Sequence, residues 1–351
     1  MLVEEDTLLV KFWLHLSKKA HRARLKELAK HSVTRWRVTK QDYKFMNQYR
    51  DFRDVSEQVL RRTSTDFAPW TVVEGGDRNH RNLAVGRALL RALETRLARQ
   101  KPTFDGPVQL PKPEPTNVLN QLDLSLSLSK DNYEKKATKV VGRLGQLSRT
   151  LYTKRRSLIL VFEGPDAAGK GGAIRRVTQA IDARAYQVTA VGAPSDEERA
   201  HPYLWRFWRH LPRGGQITIY DRSWYGRVLV ERIEGLAAPW EWQRAYREIT
   251  EFEAELTDFG IILIKFWLAI SPEEQLERFK KRERTPYKQY KLSDEDWRNR
   301  AKWDAYEAAA CEMIERTATR HAPWVLVEAN DKDYARLKVL KTIVSKLRSE
   351  L

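Results

Sequence analysis

A short glycine-rich segment carries the clearest chemical signal in the sequence. Gly164 and Gly169 enclose four residues and Lys170 follows directly, which gives the spacing G-x-x-x-x-G-K between an apolar run and a segment of helical pattern. Glycines so placed let backbone amides turn inward around a phosphate, and the helix N-terminus and the lysine add positive charge. The segment therefore predicts a phosphate-binding loop formed by Gly164, Gly169, Lys170 and Gly171.

The position after the lysine departs from the usual pattern. Gly171 stands where loops for nucleoside triphosphates carry the Ser or Thr that binds Mg²⁺. A metal ion must then be held by other residues. Asp166 in the loop and Asp221 after the apolar run 217–220 are hard oxygen donors that suit a cation which keeps several waters. The alternatives are a turn-forming role for Asp166 and a helix N-cap role for Asp221.

The elements that position these residues can be predicted from the hydrophobic pattern. Short apolar runs rich in β-branched residues have the pattern of strands buried on both faces. Segments of helical length, such as 169–181 and 240–258, separate them. Strands that alternate with helices predict an α/β fold with a doubly wound parallel sheet. The predicted strands are 157–162, 187–191, 216–220, 261–270 and 324–328.

The sequence also repeats itself. Residues 8–97 align without a gap with residues 262–351 at a constant offset of 254. Such a register indicates a tandem duplication whose first copy lacks its front half, and we expect that front half to be encoded upstream of Met1. Matching segments are KFWL at 11–14 and 265–268, and APW at 68–70 and 322–324.

The repeat predicts the domain organisation. Residues 1–100 would be a partial duplicate, 101–130 a linker, and 131–351 a complete catalytic module. Proline disfavours both helix and central strand, which supports the linker. The partial copy lacks the phosphate loop and several basic residues of the complete one, so we expect it to be a non-catalytic packing surface. The prolines of the linker are Pro102, Pro107, Pro111, Pro113 and Pro115.

Composition narrows the class of protein. With 64 Lys and Arg against 47 Asp and Glu, the formal net charge is +17. This excess implies nucleic acid, a membrane surface or phosphate-rich small molecules as partner, or only a basic surface. Cys311 is the only cysteine, which excludes an intramolecular disulfide and a thiolate metal cage. With no run of 18 apolar residues and no signal-peptide pattern at the start, we expect a cytoplasmic protein without a membrane partner.

Three motifs in this order closely resemble the polyphosphate kinase 2 family. They are GPDAAGKGG at 164–172, YDRSWYGR at 220–227, and KRERTPYK at 281–288 followed by Lys291. Tandem modules further resemble the polyphosphate:AMP phosphotransferase branch. The resemblance implies a P-loop kinase fold like that of thymidylate kinase, with a helical lid. It also implies Mg²⁺, with Mn²⁺ as an alternative, and transfer of the terminal phosphoryl group of inorganic polyphosphate to a nucleotide, with AMP favoured.

The resemblance also implies roles for single residues. The catalytic set would be Asp166, Lys170, Asp221 and Arg222, with the two aspartates holding the metal. A basic lid at 280–291 would close over the polyanion, although a solvated helix face is the alternative. Its phosphate-binding residues, together with the guanidinium of Arg227, would be Arg282, Arg284, Lys288 and Lys291.

The acceptor side is less defined by the sequence. Trp205, Arg206 and Arg222 would bind the nucleotide, with the indole stacked on the base. An ATP-dependent nucleotide kinase stays an alternative, because the loop and the two aspartates suit either donor. A basic P-loop protein that binds nucleic acid is a third, although no RNA-binding aromatic signature or helix-turn-helix supports specific nucleic-acid binding. The choice among AMP, ADP and guanine nucleotides stays open, as does a homo-oligomer.

Overall fold

The structure, a computed structural model, describes residues 2–99, 112, 114 and 117–351. It divides into two compact units, Met1–Thr103 and Phe104–Leu351. The first unit has two parallel strands with helices between and after them. Its elements are β1 Lys11–His15, α1 Lys18–Lys30, a 3₁₀ segment Arg35–Arg37, α2 Lys40–Asn47, α3 Tyr49–Thr63, β2 Trp70–Glu74 and α4 Arg78–Ala98.

The second unit alternates strands with helices. No helix among the described residues is long and apolar enough to cross a bilayer. Its elements are α5 Lys130–Thr153, β3 Ser157–Glu163, α6 Lys170–Thr178, β4 Tyr186–Ala190, α7 Asp196–Arg199, α8 Trp205–Trp208, β5 Ile217–Asp221, a 3₁₀ segment Trp224–Arg227, α9 Val230–Ile233, α10 Pro239–Asp258, β6 Ile261–Ala269, α11 Pro272–Glu283, a 3₁₀ segment Pro286–Lys291, α12 Asp294–Ala301, α13 Trp303–Thr317, β7 Trp324–Glu328 and α14 Lys332–Glu350.

The strands of the second unit form one parallel sheet in the order β4-β5-β3-β6-β7. Every residue of β3 and β6 is buried. Such strands need cover on both faces, which α5, α6 and α14 supply on one side and α10 and α13 on the other. The predicted α/β fold with a doubly wound parallel sheet is confirmed, and each predicted strand matches an observed one to within one residue at either end.

The order of the strands decides where ligands bind. From β3 the chain passes to β4 and β5 on one side of the sheet and then to β6 and β7 on the other. In open parallel sheets, ligands bind outside the carboxyl ends of the strands where the order reverses in this way. The sheet therefore brings together the loop after Glu163, at the end of β3, and Asp221, at the end of β5.

The strands and helices of the first unit follow the same order as those from β6 to α14 in the second unit. Lys11 lies opposite Trp70 in the β1–β2 pair, and Lys265 lies opposite Trp324 in the β6–β7 pair, so both partners shift by 254. Helices α2 and α3 likewise begin and end 254 residues before α12 and α13. The origin of this match in a duplication stays a prediction.

The predicted linker at 101–130 divides into two parts. Its five prolines lie outside the described residues. Residues 117–129 are described, and Leu119, Leu122 and Leu124 among them pack against the core of the second unit. Their sequence is rich in leucine and contains no proline, so burial of apolar surface holds them to the sheet. This part of the predicted linker therefore belongs to the second unit.

Candidate active site

Two glycines shape the loop between β3 and α6. Gly164 has a φ of 140° and Gly169 one of 108°, both in the region that favours glycine. A Cβ atom on Gly164 would also lie only 2.5 Å from the carbonyl oxygen of Leu268 on β6. By contrast, nothing lies within 4 Å of a Cβ atom placed on Gly171. Close packing and backbone conformation therefore require glycine at 164, and backbone conformation requires it at 169. Nothing in the packing requires the absence of a hydroxyl side chain at Gly171.

Lys170, the first residue of α6, is buried and lies across the loop. Its Nζ donates to the carbonyl oxygens of Gly164 at 2.6 Å and Pro165 at 3.1 Å. Burial lowers the pKa of Lys170, while the negative charge of Asp166 opposes that shift. The ammonium group is thus held at the loop by contacts that phosphate oxygens can replace.

Asp166 joins the loop to two other elements. Its Oδ1 accepts a hydrogen bond from Arg222 at 2.7 Å, and its Oδ2 accepts one from the amide group of Asn299 on α12 at 2.9 Å. Burial alone would raise the pKa of Asp166, but the charges of Lys170 and Arg222 outweigh it and the pKa is lowered. Asp166 is therefore ionised at neutral pH.

Arg222 has an unusual backbone conformation directly after β5. Its φ is 64°, in the left-handed region, and Ala167 in the loop has a φ of 62°. Such conformations cost about 1 to 3 kcal/mol each in a residue other than glycine and persist where surrounding contacts fix them. The amide of Arg222 still donates to the carbonyl oxygen of Phe162 on β3 at 3.1 Å. This turn directs the guanidinium from the end of β5 to Asp166.

A buried carboxyl group behind the loop was not predicted from the sequence. Glu163, the last residue of β3, accepts a hydrogen bond from the hydroxyl group of Ser223 at 2.8 Å. Burial raises the pKa of Glu163. An acidic residue at the end of a fully apolar strand is rare without a function, and this is the signal that could have identified it. The pair ties the segment after β5 to β3.

Arg278 on α11 holds the second half of the loop. One guanidinium nitrogen donates to the carbonyl oxygens of Ala167 at 2.8 Å and Ala168 at 2.9 Å. The other donates to those of Ala329 at 2.6 Å and Asn330 at 2.8 Å, after β7. The loop carbonyls are thus occupied, and the loop amides are left to face an anion. No local pattern reveals this role, because these partners are distant in sequence.

A groove lined by cations, here called the basic groove, adjoins the second half of the loop at 167–169. Its volume is about 320 Å³. Of the predicted lid residues, Arg282, Lys288 and Lys291 line it, whereas Arg284 does not. The positively charged side chains of the groove are Arg278, Lys281, Arg282, Lys288, Lys291, Lys332 and Arg336.

Two cations of the basic groove come from α14 and were not predicted. Lys332 is the first residue of that helix, and Arg336 lies one turn later. A cation in the first turn of a helix is unfavourable because it opposes the helix dipole. Its presence there therefore suggests a role in binding an anion. Burial lowers the pKa of Lys332, and the nearby charges of Arg278 and Lys281 lower it further. A bound polyanion relieves this repulsion, which is why the groove suits one.

The first half of the loop, 164–166, lines a different pocket of about 260 Å³, here called the apolar cavity. Its polar residues include Glu163, Asp166 and Arg222. A compact cavity whose lining surface is mostly apolar, with several polar groups, has the character of a small-molecule site. Its large apolar and aromatic residues are Leu119, Leu124, Leu229, Val230, Trp267, Ile270, Trp303 and Tyr306.

Arg227, predicted to clamp phosphate, lines neither pocket. Its guanidinium lies 2.9 Å from a carboxylate oxygen of Glu231 and 3.6 Å from one of Glu241. It also lies over the ring of Tyr203, 4.5 Å from the centroid. These contacts neutralise Arg227 within the fold, so the structure does not bring it to the loop.

The residues predicted to bind the nucleotide base also lie outside the apolar cavity. Trp205 stacks on the ring of His201 with a centroid distance of 3.9 Å. Arg206 pairs with Glu198 at 3.2 Å and donates to the carbonyl oxygen of Gly192 at 3.1 Å. Both therefore stabilise the segment after β4, and of the predicted nucleotide-binding set only Arg222 reaches the cavity.

The donor set at the loop fits a magnesium ion. The described residues contain no group of three or more His, Cys, Asp or Glu arranged to hold a metal. Asp166 and Asp221 nevertheless place two carboxylates near enough to Lys170 to act on its pKa. Mg²⁺ needs only one or two carboxylates, because waters and substrate phosphates complete its octahedron. Two carboxylates therefore suit Mg²⁺ in chemistry and in number.

Comparison with known proteins identifies the family. The model of the polyphosphate kinase 2 family matches residues 1–101 and 127–351. The chain belongs to the polyphosphate kinase 2 family. Among similar family proteins, the "Polyphosphate:AMP phosphotransferase" of Pseudomonas aeruginosa is 54% identical over 346 residues, which are 98% of this chain and 70% of that protein. The protein of the same name from Acinetobacter johnsonii is 40% identical over 341 residues, 97% of this chain and 69% of its own.

Solved structures of the polyphosphate kinase 2 family have the same fold. A putative polyphosphate kinase 2 from Pseudomonas aeruginosa has a TM-score of 0.84 and 50% identity, covering 99% of this chain and 69% of that one. Polyphosphate kinase 2 from Arthrobacter aurescens has a TM-score of 0.64 and 34% identity, covering 68% of this chain and 87% of that one. The resemblance drawn from the three motifs is thereby confirmed.

Proposed function

We propose that this protein transfers the terminal phosphoryl group of inorganic polyphosphate to AMP and so forms ADP. The observation that carries the proposal is the division of one phosphate loop between two pockets of opposite chemistry. Residues 164–166 line the apolar cavity, and residues 167–169 line the basic groove. A nucleoside suits the first and a polyanion the second. The names of the relatives from Pseudomonas aeruginosa and Acinetobacter johnsonii support this pairing.

The lining of the basic groove favours polyphosphate over ATP as the donor. Among the residues that the structure describes, seven positively charged side chains line it, and Leu268 is its only large apolar residue. A polyanion of repeated phosphates can contact all of these charges, whereas the nucleoside of ATP would find little apolar surface there. Membership of the polyphosphate kinase 2 family also argues against the alternative of a nucleic-acid-binding protein.

The residues at the loop account for the transfer. Phosphoryl transfer depends chiefly on positioning and on neutralising charge. Lys170 would exchange the carbonyl oxygens of Gly164 and Pro165 for oxygens of the transferred group. Arg222, fixed by Asp166, presents a planar donor at the rim of the apolar cavity for the phosphate of AMP. That phosphate is already anionic, so no general base is needed.

Mg²⁺, or Mn²⁺ in its place, would be held by Asp166 and Asp221. When bound, the ion supplies further neutralisation of the phosphate oxygens. The lowered pKa of Asp166 keeps this ligand ionised at neutral pH without help from the metal.

An assay of ADP formation tests the proposed function. The purified chain with Mg²⁺ and AMP should form ADP from polyphosphate, and much more slowly from ATP. Lys170→Ala should lower the rate by about 10³-fold, the effect of removing a preorganised charge from such a site. Lys139→Ala is the matched control, because Lys139 is an exposed lysine on α5. Equal use of ATP, or full activity of folded Lys170→Ala, would contradict the proposal.

The two units would have different roles, with catalysis in the second unit only. We place catalysis in the second unit, since the described residues that line both pockets belong to it. Most of them lie within 131–351, and Leu119, Asn120 and Leu124 precede that range. Residues 1–100 would then be a non-catalytic partial duplicate, as their match to the same family model supports. A nucleotide acceptor favours the cytoplasm as the site of the reaction.

A further inference from the structure

One wall of the apolar cavity comes from a segment that the family model does not match. Residues 117–124, here called the strap, fall between the matched segments 1–101 and 127–351. The sequence analysis assigned them to a linker, and none of the three motifs includes them. In the structure they nevertheless pack against the core of the second unit.

A buried asparagine fixes the start of the strap. Asn117 is only 4% exposed, and its amide group donates to a carboxylate oxygen of Glu307 on α13 at 3.1 Å. Its side-chain oxygen accepts from the backbone amides of Leu119 at 3.0 Å and Asn120 at 2.9 Å. Glu307 also accepts from the indole of Trp303 at 3.1 Å. The strap is therefore tied to the same helix that carries the aromatic wall of the cavity.

Two leucines of the strap face the apolar cavity. Leu119 and Leu124 line it, whereas Leu122 packs against the core without lining it. Arg222, which we propose binds the phosphate of AMP, and Asp166, which fixes it, are polar residues of the same cavity. A nucleotide whose phosphate meets those polar groups must direct its base to the apolar part of the wall. No residue of the strap lines the basic groove.

We propose that the strap forms the surface against which the nucleobase of the acceptor packs, and that Leu119 and Leu124 set the affinity for AMP. This inference rests on the proposed function. Because the strap touches the acceptor pocket and not the donor groove, its side chains should affect acceptor binding alone.

Steady-state kinetics of leucine variants test the inference. Leu119→Ala and Leu124→Ala should each raise the KM for AMP by about tenfold, the effect of losing a few methylene contacts with a bound base. The kcat at saturating AMP and the KM for polyphosphate should stay unchanged. Leu119→Met, which keeps the volume, should restore most of the affinity. Leu122→Ala is the matched control and should leave the KM for AMP unchanged, since Leu122 lies on the strap but not in the cavity.

The outcomes separate the inference from the function on which it rests. An unchanged KM for AMP in active Leu119→Ala and Leu124→Ala, or an equal rise in Leu122→Ala, would overturn the role of the strap and leave the proposed function standing. Absence of ADP formation by the unaltered protein would instead overturn the function.

Hydrogen exchange on the unaltered protein tests the same inference and does not depend on the folding of a variant. AMP should slow the exchange of amides in 117–124, and polyphosphate alone should not. If AMP leaves the amide exchange rates in the strap unchanged, the inference is also overturned.

Discussion

The two parallel strand pairs, β1–β2 and β6–β7, place an equivalent lysine in different surroundings. Lys265 is fully buried, and its Nζ donates to Glu253 at 2.7 Å, to Tyr225 at 2.9 Å and to the carbonyl oxygen of Thr317 at 2.9 Å. Lys11 donates to the equivalent carbonyl oxygen of Thr63 at 2.5 Å. Among the described residues of the first unit, no helix corresponds to α10, which supplies Glu253. In the first unit Lys11 has this carbonyl contact and an aromatic neighbour, Trp70.

Apolar burial differs between the units in the same way. Leu268 on β6 is 1% exposed and belongs to a cluster with α5 and α6, whereas the equivalent Leu14 on β1 is 55% exposed. Val327 and Val73, on β7 and β2, are buried in both units. The local sequence is therefore enough to form the strands and helices, but the burial of Leu268 depends on α5 and α6, which have no counterpart among the described residues of the first unit.

Several cations of the basic groove have no counterpart at the matching positions of the first unit. At the positions of Lys281, Arg282 and Lys288 the first unit carries Glu27, Leu28 and Thr34. Glu27 instead pairs with Lys30 at 3.5 Å and with His31 at 3.0 Å on the surface. Arginine still stands at the positions of Arg278, Lys291 and Lys332. The first unit thus has similar helices without four of the seven groove cations, so those four are not needed for the helices to form.

The largest expected effect concerns the buried lysine. Lys265→Met should lower the free energy of unfolding by about 3 to 5 kcal/mol, because it leaves the carboxylate of Glu253 buried and unpaired. Lys11→Met should cost about 1 kcal/mol or less, since it loses one partly exposed contact to a carbonyl. Urea titration of the full chain measures both. Similar losses in the two variants would remove the difference that we draw between the units.

The second largest effect is expected at the donor site, when residues of the first unit replace the matching cations of the basic groove. The double variant Arg282→Leu and Lys288→Thr should raise the KM for polyphosphate by about tenfold to a hundredfold, because two charge-assisted contacts are lost. The melting temperature should change little, since exposed charges contribute little to stability. The dependence of KM on salt should also become less steep.

Arg284→Ala serves as the comparison for that variant. Arg284 was predicted from the sequence to bind polyphosphate but does not line the basic groove. The structure therefore predicts an unchanged KM for polyphosphate. A rise as large as that of the double variant would favour the sequence-based assignment of the whole lid.

The proposed metal ligands should show a smaller effect. Asp166→Asn and Asp221→Asn should each raise the Mg²⁺ concentration for half-maximal activity by about tenfold, because each removes an anionic ligand. Asp182→Asn, at an exposed aspartate, is the control. The pKa of Asp166 is lowered from 3.8, so its charge is present above that value and lost only as pH falls through the lowered pKa. An unchanged Mg²⁺ titration in both variants would place the metal elsewhere.

The sequence predicted what depends on local pattern. The strands, the loop glycines and Lys170 follow from periodicity and spacing, and the structure places them as expected. Some predicted site residues instead lie against partners within the fold and away from both pockets. Arg227 has Glu231 four residues later on the same segment, and that spacing already favours an ion pair over a phosphate contact. Lys332 and Arg336 were missed because only the parallel order of β3, β6 and β7 brings α14 to the loop.

Arg278 couples the phosphate loop mechanically to the basic groove. Its guanidinium bonds the carbonyls of Ala167 and Ala168, while the later turns of the same helix carry Lys281 and Arg282. A tilt of α11 large enough to widen the groove would also pull on the loop. A chain of phosphates that draws α11 inward would therefore tighten the loop in the same movement, so the length of polyphosphate that fills the groove would govern how well the terminal phosphate is aligned for transfer.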